Sequence, residues 1–179
     1  WQSKFPQTEV IFKKVEGQIR DRRADIFIPE HNTIIEIENS GKSIEEIDSK
    51  TRDCRLHGMD IIWIVNGNTE DVKLDELTDG SYLITFNKDW KYNSFSYNYN
   101  YILLDIDCKI FKIPINEVKS HVIRVKEYKP IEDVVNKLLI NPKNIWNMWK
   151  DDNNVLCKLI VMQKGAGNGK TYLILKMIA

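Results

Sequence analysis

The sequence predicts an α/β protein built on a mixed β-sheet and followed by the strand, loop and helix that open a second unit. Three observations predict it. Two strand-like runs, residues 24–28 and 33–39, are separated only by the turn-like Pro-Glu-His-Asn segment. A helical stretch from Ser43 leads into residues 60–65 (DIIWIV), a short continuous apolar run of the kind a buried central strand shows. Near the C-terminal end, LCKLIVM runs into a glycine-rich turn and a new helical pattern.

In chain order, residues 10–15 read as a short strand ahead of the pair at 24–28 and 33–39. Ser43 and Glu46 have the S-x-x-E spacing of a capping box, so a helix runs from there to about Leu56, where Gly58 stops it. After the strand at 60–65 comes a polar stretch carrying NGN and TDG, then a strand at 82–86. Residues 101–113 read as a hairpin turning near Asp107 and Cys108, and 121–125 as one more strand. Residues 131–140 are helical, and a short helix follows Pro142. The change of character near residues 127–130 suggests a boundary between units 1–127 and 128–179.

The chain has 179 residues, with 26 basic balanced by 26 acidic side chains and a hydrophobic fraction of 42%. That is a globular composition, and it leaves any case for nucleic acid to local patches. No apolar run approaches a membrane span and no signal peptide is visible, so no membrane partner is expected. The three cysteines and three histidines are scattered and have no zinc spacing. An odd cysteine count without a disulfide framework points to an intracellular, reducing location, cytoplasmic or in the host of a virus, rather than to secretion. Trp1 at one end and a helical pattern cut at Ala179 at the other suggest a fragment of a longer parent.

The chemistry centres on three acids. On a strand Glu36 and Glu38 point to one face and Ile35 and Ile37 to the other. Folding the hairpin symmetrically about Pro-Glu-His-Asn sets Asp25 opposite Glu36. Like charges directly opposite one another destabilise a sheet, so the arrangement makes sense with a hard divalent cation such as Mg²⁺ or Mn²⁺ between them. A solvated outer face bearing three acids reads the same way from hairpin geometry alone. Arg20, Arg22 and Arg23 form a basic cluster suited either to phosphates or to a solvated turn. Glu16 is either a further acidic contributor or a loop surface residue.

The run RRADIFI…TIIEIENSGKSIEEIDSKTRDCRLHGMDIIWIV resembles the PD-(D/E)XK nuclease core, most closely its competence protein CoiA-like branch. That branch carries R-x-A-D, a strand with E-x-Q-x-S, a helix ending in an R-T-x-x-Y-like stretch, and a buried strand ending in W-I. The resemblance covers about residues 19–65 and implies a restriction-endonuclease-like fold. It makes Asp25 and Glu36 the metal ligands and Asp25, Glu36 and Glu38 the catalytic set, with Lys50 on the helix toward nucleic acid. Two positions depart from the pattern. Glu38 stands where the superfamily has lysine, and Cys54 replaces the tyrosine. Glutamate can bind metal or take a proton from water but cannot offset developing negative charge, so Lys42 or Lys50 would supply that charge from the helix side.

SFSYNYNY alternates strictly, with Phe95, Tyr97, Tyr99 and Tyr101 on one face. That is either a core strand or, with Trp90 and Tyr92, a stacking surface for bases. The last stretch, QKGAGNGKT, follows a hydrophobic strand and precedes a helical pattern, the context of a P-loop. Gly165, Gly167, Asn168, Gly169, Lys170 and Thr171 would cradle the phosphates of ATP, although Lys164 stands where the first glycine of G-x-x-x-x-G-K-[ST] is expected. The run is similar to the start of superfamily 1 helicases. It implies ATP as cofactor in the parent and no ATPase activity in this piece, which lacks a sheet to complete it.

The function expected from the sequence is therefore a Mg²⁺- or Mn²⁺-dependent nuclease from a nuclease–helicase fusion, acting on DNA rather than RNA. The alternative is a catalytically inactive nuclease-like module that binds nucleic acid beside the helicase.

Overall fold

The computed structural model describes residues 1–86, 95, 101–114 and 122–149, together with the strand backbone of 155–158, 160–161 and 173–174. The molecule is α/β, organised on a seven-stranded mixed sheet of order β1-β2-β3-β4-β7-β8-β10. The first three strands, β1 (Thr8–Phe12), β2 (Arg22–Ile28) and β3 (Thr33–Glu38), form an antiparallel meander. Helix α1 (Ile44–Leu56) then crosses over to β4 (Asp60–Asn66), which lies parallel to β3.

Strands β5 (Val72–Glu76) and β6 (Tyr82–Phe86) leave for a second sheet. The chain returns as β7 (Tyr101–Ile106), parallel to β4, and β8 (Lys109–Pro114), antiparallel to β7. Strand β9 (Val122–Val125) joins the second sheet, and β10 (Lys129–Pro130) closes the first against β8. Helix α2 (Ile131–Ile140) and a 3₁₀ segment (Pro142–Met148) follow. Strand β11 (Val155–Lys158) extends the second sheet beside β9, and β12 (Ile160–Val161) pairs with β13 (Leu173–Ile174).

Strand β4 explains why DIIWIV is apolar throughout. Its Ile62 and Ile64 pack toward α2 with Ile26, Ile35, Leu103, Ile110, Val134 and Leu138. Its Trp63 and Val65 pack the other way, with Ile47 of α1, Leu104 and Phe111 of the sheet, and Ile84 and Ile123 of the second sheet. A strand covered on both faces has no polar side to show. One face of the main sheet thus carries α1 and the small sheet, and the other carries α2 and the 3₁₀ segment.

Helix α1 starts as expected. Ser43 Oγ accepts from Glu46 N and the Glu46 carboxylate accepts from Ser43 N, the full capping box. The hairpin of β7 and β8 also turns where expected, with Asp107 and Cys108 both at positive φ (51° and 62°), the pair of left-handed residues a tight hairpin turn requires.

Other expectations shift. The first strand lies at Thr8–Phe12 rather than 10–15. Lys14 N is spent on the Asp21 carboxylate and Val15 N on Gln18 Oε1, and side-chain acceptors of this kind draw the backbone out of a ladder. Strand β5, in the stretch read as polar, is a half-buried element at one end of the small sheet, too short for its alternation to stand out. Lys129 and Pro130 pair with Ile110 and Lys109, and Ile131, Val134, Leu138, Ile145 and Trp149 share a core with Ile26, Ile35 and Leu103. Proline is at home at a sheet edge as well as in a linker, so composition alone could not separate the two.

Phe95 is buried edge-on against Trp63, on the α1 face, whereas Tyr101 lies near Trp146 with the Lys112 ammonium 4.2 Å from its ring centroid. The two ends of the expected aromatic ladder therefore sit on different faces of the main sheet. Trp90, Tyr92, Tyr97 and Tyr99 lie outside the described residues, as do Gly165, Gly167, Asn168, Gly169, Lys170 and Thr171. Leu173 and Ile174, expected in the first turns of a helix, pair as a strand with Ile160 and Val161. A short apolar run serves either state, and periodicity does not separate them. No helix among the described residues is long and apolar enough to cross a membrane.

Candidate metal centre

The hairpin of β2 and β3 pairs Ile28 with Thr33, Phe27 with Ile34 and Ile26 with Ile35. This is the register expected from a symmetric turn about Pro-Glu-His-Asn. The turn is a 3₁₀ segment, Pro29–His31, closed by Asn32 in the left-handed region at φ 48°. One step beyond Ile26 and Ile35 come Asp25 and Glu36. There the Asp25 side chain takes over from the ladder, its Oδ2 accepting from Ile37 N at 2.8 Å.

Glu36 is 1% exposed and stands level with Trp63 of β4. Its Oε2 accepts from Lys50 Nζ of α1. Its Oε1 is buried with no hydrogen-bond partner. Burial pushes the Glu36 carboxyl up to about 7; the Lys50 charge opposes that rise, and the charge and hydrogen bonding of Asp25 add to it. The orphaned oxygen and the hydrogen bond to Asp25 are compatible. Two carboxylates bond to each other only through a shared proton, so with both ionised Oε1 has no donor. A proton or a cation satisfies it.

Lys50 reaches Glu36 because α1 is held in rotation by a second buried ion pair. Arg22 of β2 donates to the Asp53 carboxylate and to Ser49 Oγ, and the side chains of Arg22 and Asp53 are only 12% and 2% exposed. Ser49 and Asp53 lie one turn apart on one face of the helix, beside the stripe of Ile47, Thr51 and Cys54 that is buried toward the sheet. Cys54 packs with Ala24, Ile34 and Met59. Burial, and then the Glu36 charge, push its thiol up to about 11, which makes it an inert filler at neutral pH.

Glu38 is also 1% exposed, but both of its oxygens are engaged. Oε1 accepts from Ser40 N (2.7 Å) and Ser40 Oγ (3.2 Å), and Oε2 from Lys42 Nζ. Asp25 and Glu36 therefore meet, whereas Glu38 is withdrawn into the loop before α1. Among the described residues no three His, Cys, Asp or Glu side chains gather as a metal-holding group. The expected triad is a pair with a lysine-bound third acid beside it. Two carboxylates, one with an unsatisfied buried oxygen, suit a hard cation that keeps part of its water shell.

The basic residues divide. Arg22 is committed to Asp53 and Ser49, and so holds the helix rather than a phosphate. Arg23 pairs with Glu9 at 2.9 Å near the surface. Arg20 and Glu16 are exposed in the loop between β1 and β2. Lys50 is the one of the four that touches the acid pair.

Sequence reasoning missed Ser49 and Asp53. The signal was an acid next to the apolar stripe of an amphipathic helix, which demands a buried cation on the strand it packs against. It also missed Trp1, Gln2 and Asn39, which line a cleft beside Asp25; Asn39 directly follows Glu38, but nothing in the sequence ties Trp1 and Gln2, far from the motif, to it. No protein-family model matches the chain, and neither a curated protein nor a solved structure shows significant similarity to it.

Proposed function

We propose that the chain is a divalent-metal-dependent nuclease that hydrolyses phosphodiester bonds in nucleic acid, DNA in preference to RNA, and that its parent couples this domain to a superfamily 1 helicase-like ATPase. The observation that carries the reading is a buried Glu36 against a half-buried Asp25, with Glu36 Oε1 unsatisfied and the Lys50 ammonium on its other oxygen. Nothing in a purely structural role requires an acid to be buried against a second carboxylate at the cost of raising it to about 7.

Asp25 and Glu36 would hold Mg²⁺ or Mn²⁺. When bound, such an ion polarises a phosphodiester oxygen and lowers the pKa of its water. Lys50 places a positive charge next to the reacting centre, the task that a lysine at position 38 would otherwise perform. Lys42 neutralises Glu38, so the pocket carries two lysines against three acids. In the parent, residues 165–171 would bind the phosphates of ATP and Thr171 its Mg²⁺.

The test is cleavage of labelled single- and double-stranded DNA with Mg²⁺ or Mn²⁺, by the wild type and by Glu36→Gln, which keeps the shape of the side chain. Cleavage that needs metal and disappears in the variant supports the enzyme. A specific observation favours a second reading, a nucleic-acid-binding module without cleavage: Glu38 has both oxygens engaged by Ser40 and Lys42 and is not free to activate water. Metal-independent DNA binding with no cleavage by the wild type selects that reading.

A further inference from the structure

A cleft of about 310 Å³ opens beside the acid pair, lined by Trp1, Gln2, Asp25, Ile37 and Asn39. Its size is at the lower end of small-molecule sites, about 300–1,000 Å³, and gives room for one flat ring. We propose that this cleft receives an unpaired nucleobase of the substrate, stacked on the Trp1 indole, and that the nuclease therefore acts on single-stranded nucleic acid or on frayed ends rather than on intact duplex. The proposal rests on the nuclease reading for its consequence, and on the cleft alone for the binding.

Four features argue for a base. Among the described residues no lysine or arginine lines the cleft, and Asp25 would repel a phosphate, so the described lining is not built for one. Trp1 is half-buried and fixed, its Nε1 donating to Asp105 Oδ2 at 2.6 Å across 104 residues of chain. With the N–H spent, the indole offers a ligand its ring, and base–aromatic stacking is tolerant of sequence. Gln2 Nε2 donates to Glu9 Oε1 at 2.7 Å, and a carboxylate accepts only, so the amide is oriented with its carbonyl left as an acceptor.

Every base carries an N–H donor on its Watson–Crick edge, and that edge is available to a protein only when the base is unpaired. Asn39, exposed at the rim, adds an amide that donates or accepts. Because Asp25 belongs both to the cleft and to the acid pair, a base held here brings its own phosphodiester to the metal ligands.

Binding is measured by fluorescence anisotropy with labelled oligothymidylate and with a blunt duplex, in Ca²⁺ so that turnover does not interfere. The wild type is expected to prefer the single strand. Trp1→Ala weakens single-strand binding between about fivefold and a hundredfold, the worth of one stacked base, leaves duplex binding unchanged, and Trp1→Phe restores most of the loss. Scanning one abasic site through the oligonucleotide gives a test independent of the protein's folding. One position should cost the wild type as much as Trp1→Ala does, and should cost that variant nothing further.

Equal losses on single strand and duplex, or an abasic scan with no sensitive position, overturn the cleft. Metal-dependent cleavage surviving in Trp1→Ala with unchanged single-strand affinity overturns the cleft and leaves the nuclease standing. Trp1-dependent binding in a wild type that never cleaves does the reverse.

Discussion

Glu36→Gln should change the way stability depends on pH, because Glu36 is the most perturbed acid of the described chain. In the unfolded chain it ionises at the ordinary glutamate value of 4.5, and in the folded protein at about 7. A folded pKa above the unfolded one means that the folded state binds the proton more tightly. Stability from this group is therefore fully present below 4.5 and is lost as pH rises through 7. The difference corresponds to about 3 kcal/mol. Glutamine in the same place has the shape of the protonated acid and does not titrate.

The stability of Glu36→Gln relative to wild type should therefore rise by about 3 kcal/mol between pH 4 and pH 8.5, whatever offset the substitution carries at acid pH. Urea denaturation followed by tryptophan fluorescence at four pH values reads this as a growing difference between midpoints. Taking the difference between variant and wild type cancels the titrating groups that are not coupled to Glu36. Parallel pH profiles for the two proteins would mean that Glu36 ionises like an exposed acid, and the argument for a buried Glu36 raised beside Asp25 would fail with it.

The ion pairs and the glycine just after β4 make further predictions. Arg22→Ala strands the Asp53 carboxylate, whose side chain is 2% exposed, and should cost about 3–5 kcal/mol in urea melts; a loss under 1 kcal/mol would show that Arg52, 3.8 Å from Asp53, takes over. Lys50→Met removes the cation that opposes the rise of the Glu36 pKa, so it should cost far more at pH 9 than at pH 5, where Glu36 is already neutral. A penalty independent of pH would contradict the Lys50–Glu36 pair. Gly67→Ala places a Cβ 2.7 Å from Ile106 Cγ1, 3.0 Å from Leu104 Cδ1 and 3.1 Å from the Asp105 carbonyl oxygen. Gly67 is tied to that carbonyl by its own N–H, so the clash has little room to relax, and thermal melts should show a loss of about 1–3 kcal/mol.

How far the site was legible depends on which interactions are local. The Asp25–Glu36 meeting follows from a symmetric turn and strand alternation, both readable from residues 24–38, and the ladder from Ile28 to Ile26 has that register. The capping box and the doubly covered β4 are likewise properties of short windows. What was hidden is contact across sequence distance. Glu36 and Glu38 share a face, and alternation alone brings them together. The residues that separate them are Lys50 and Lys42, which arrive through the rotation of α1 and the loop before it. That rotation is set by Arg22 and Asp53, 31 residues apart. The core that α2 shares with Ile35 across the expected boundary at 127–130 is hidden for the same reason, since it leaves no mark near proline.

The raised Glu36 pKa also separates the proposed metal centre from a surface where ions merely collect. A cation must displace the proton from Glu36, so its apparent affinity should follow the ionised fraction of that group. At pH 6 about one molecule in ten is ionised, given titration at about 7; at pH 8 nearly all are. Mn²⁺ should therefore bind about tenfold more weakly at pH 6 than at pH 8, with one proton released per ion in calorimetry at the lower pH. Acids that titrate at ordinary values are already ionised throughout this range and would show neither effect. The proton count is the sharper measurement, because it is read from the dependence of the binding heat on the ionisation enthalpy of the buffer and does not need the affinity to be high. Binding of equal strength at both pH values, or binding that persists unchanged in Glu36→Gln, would place the ion elsewhere and remove the metal from Asp25 and Glu36.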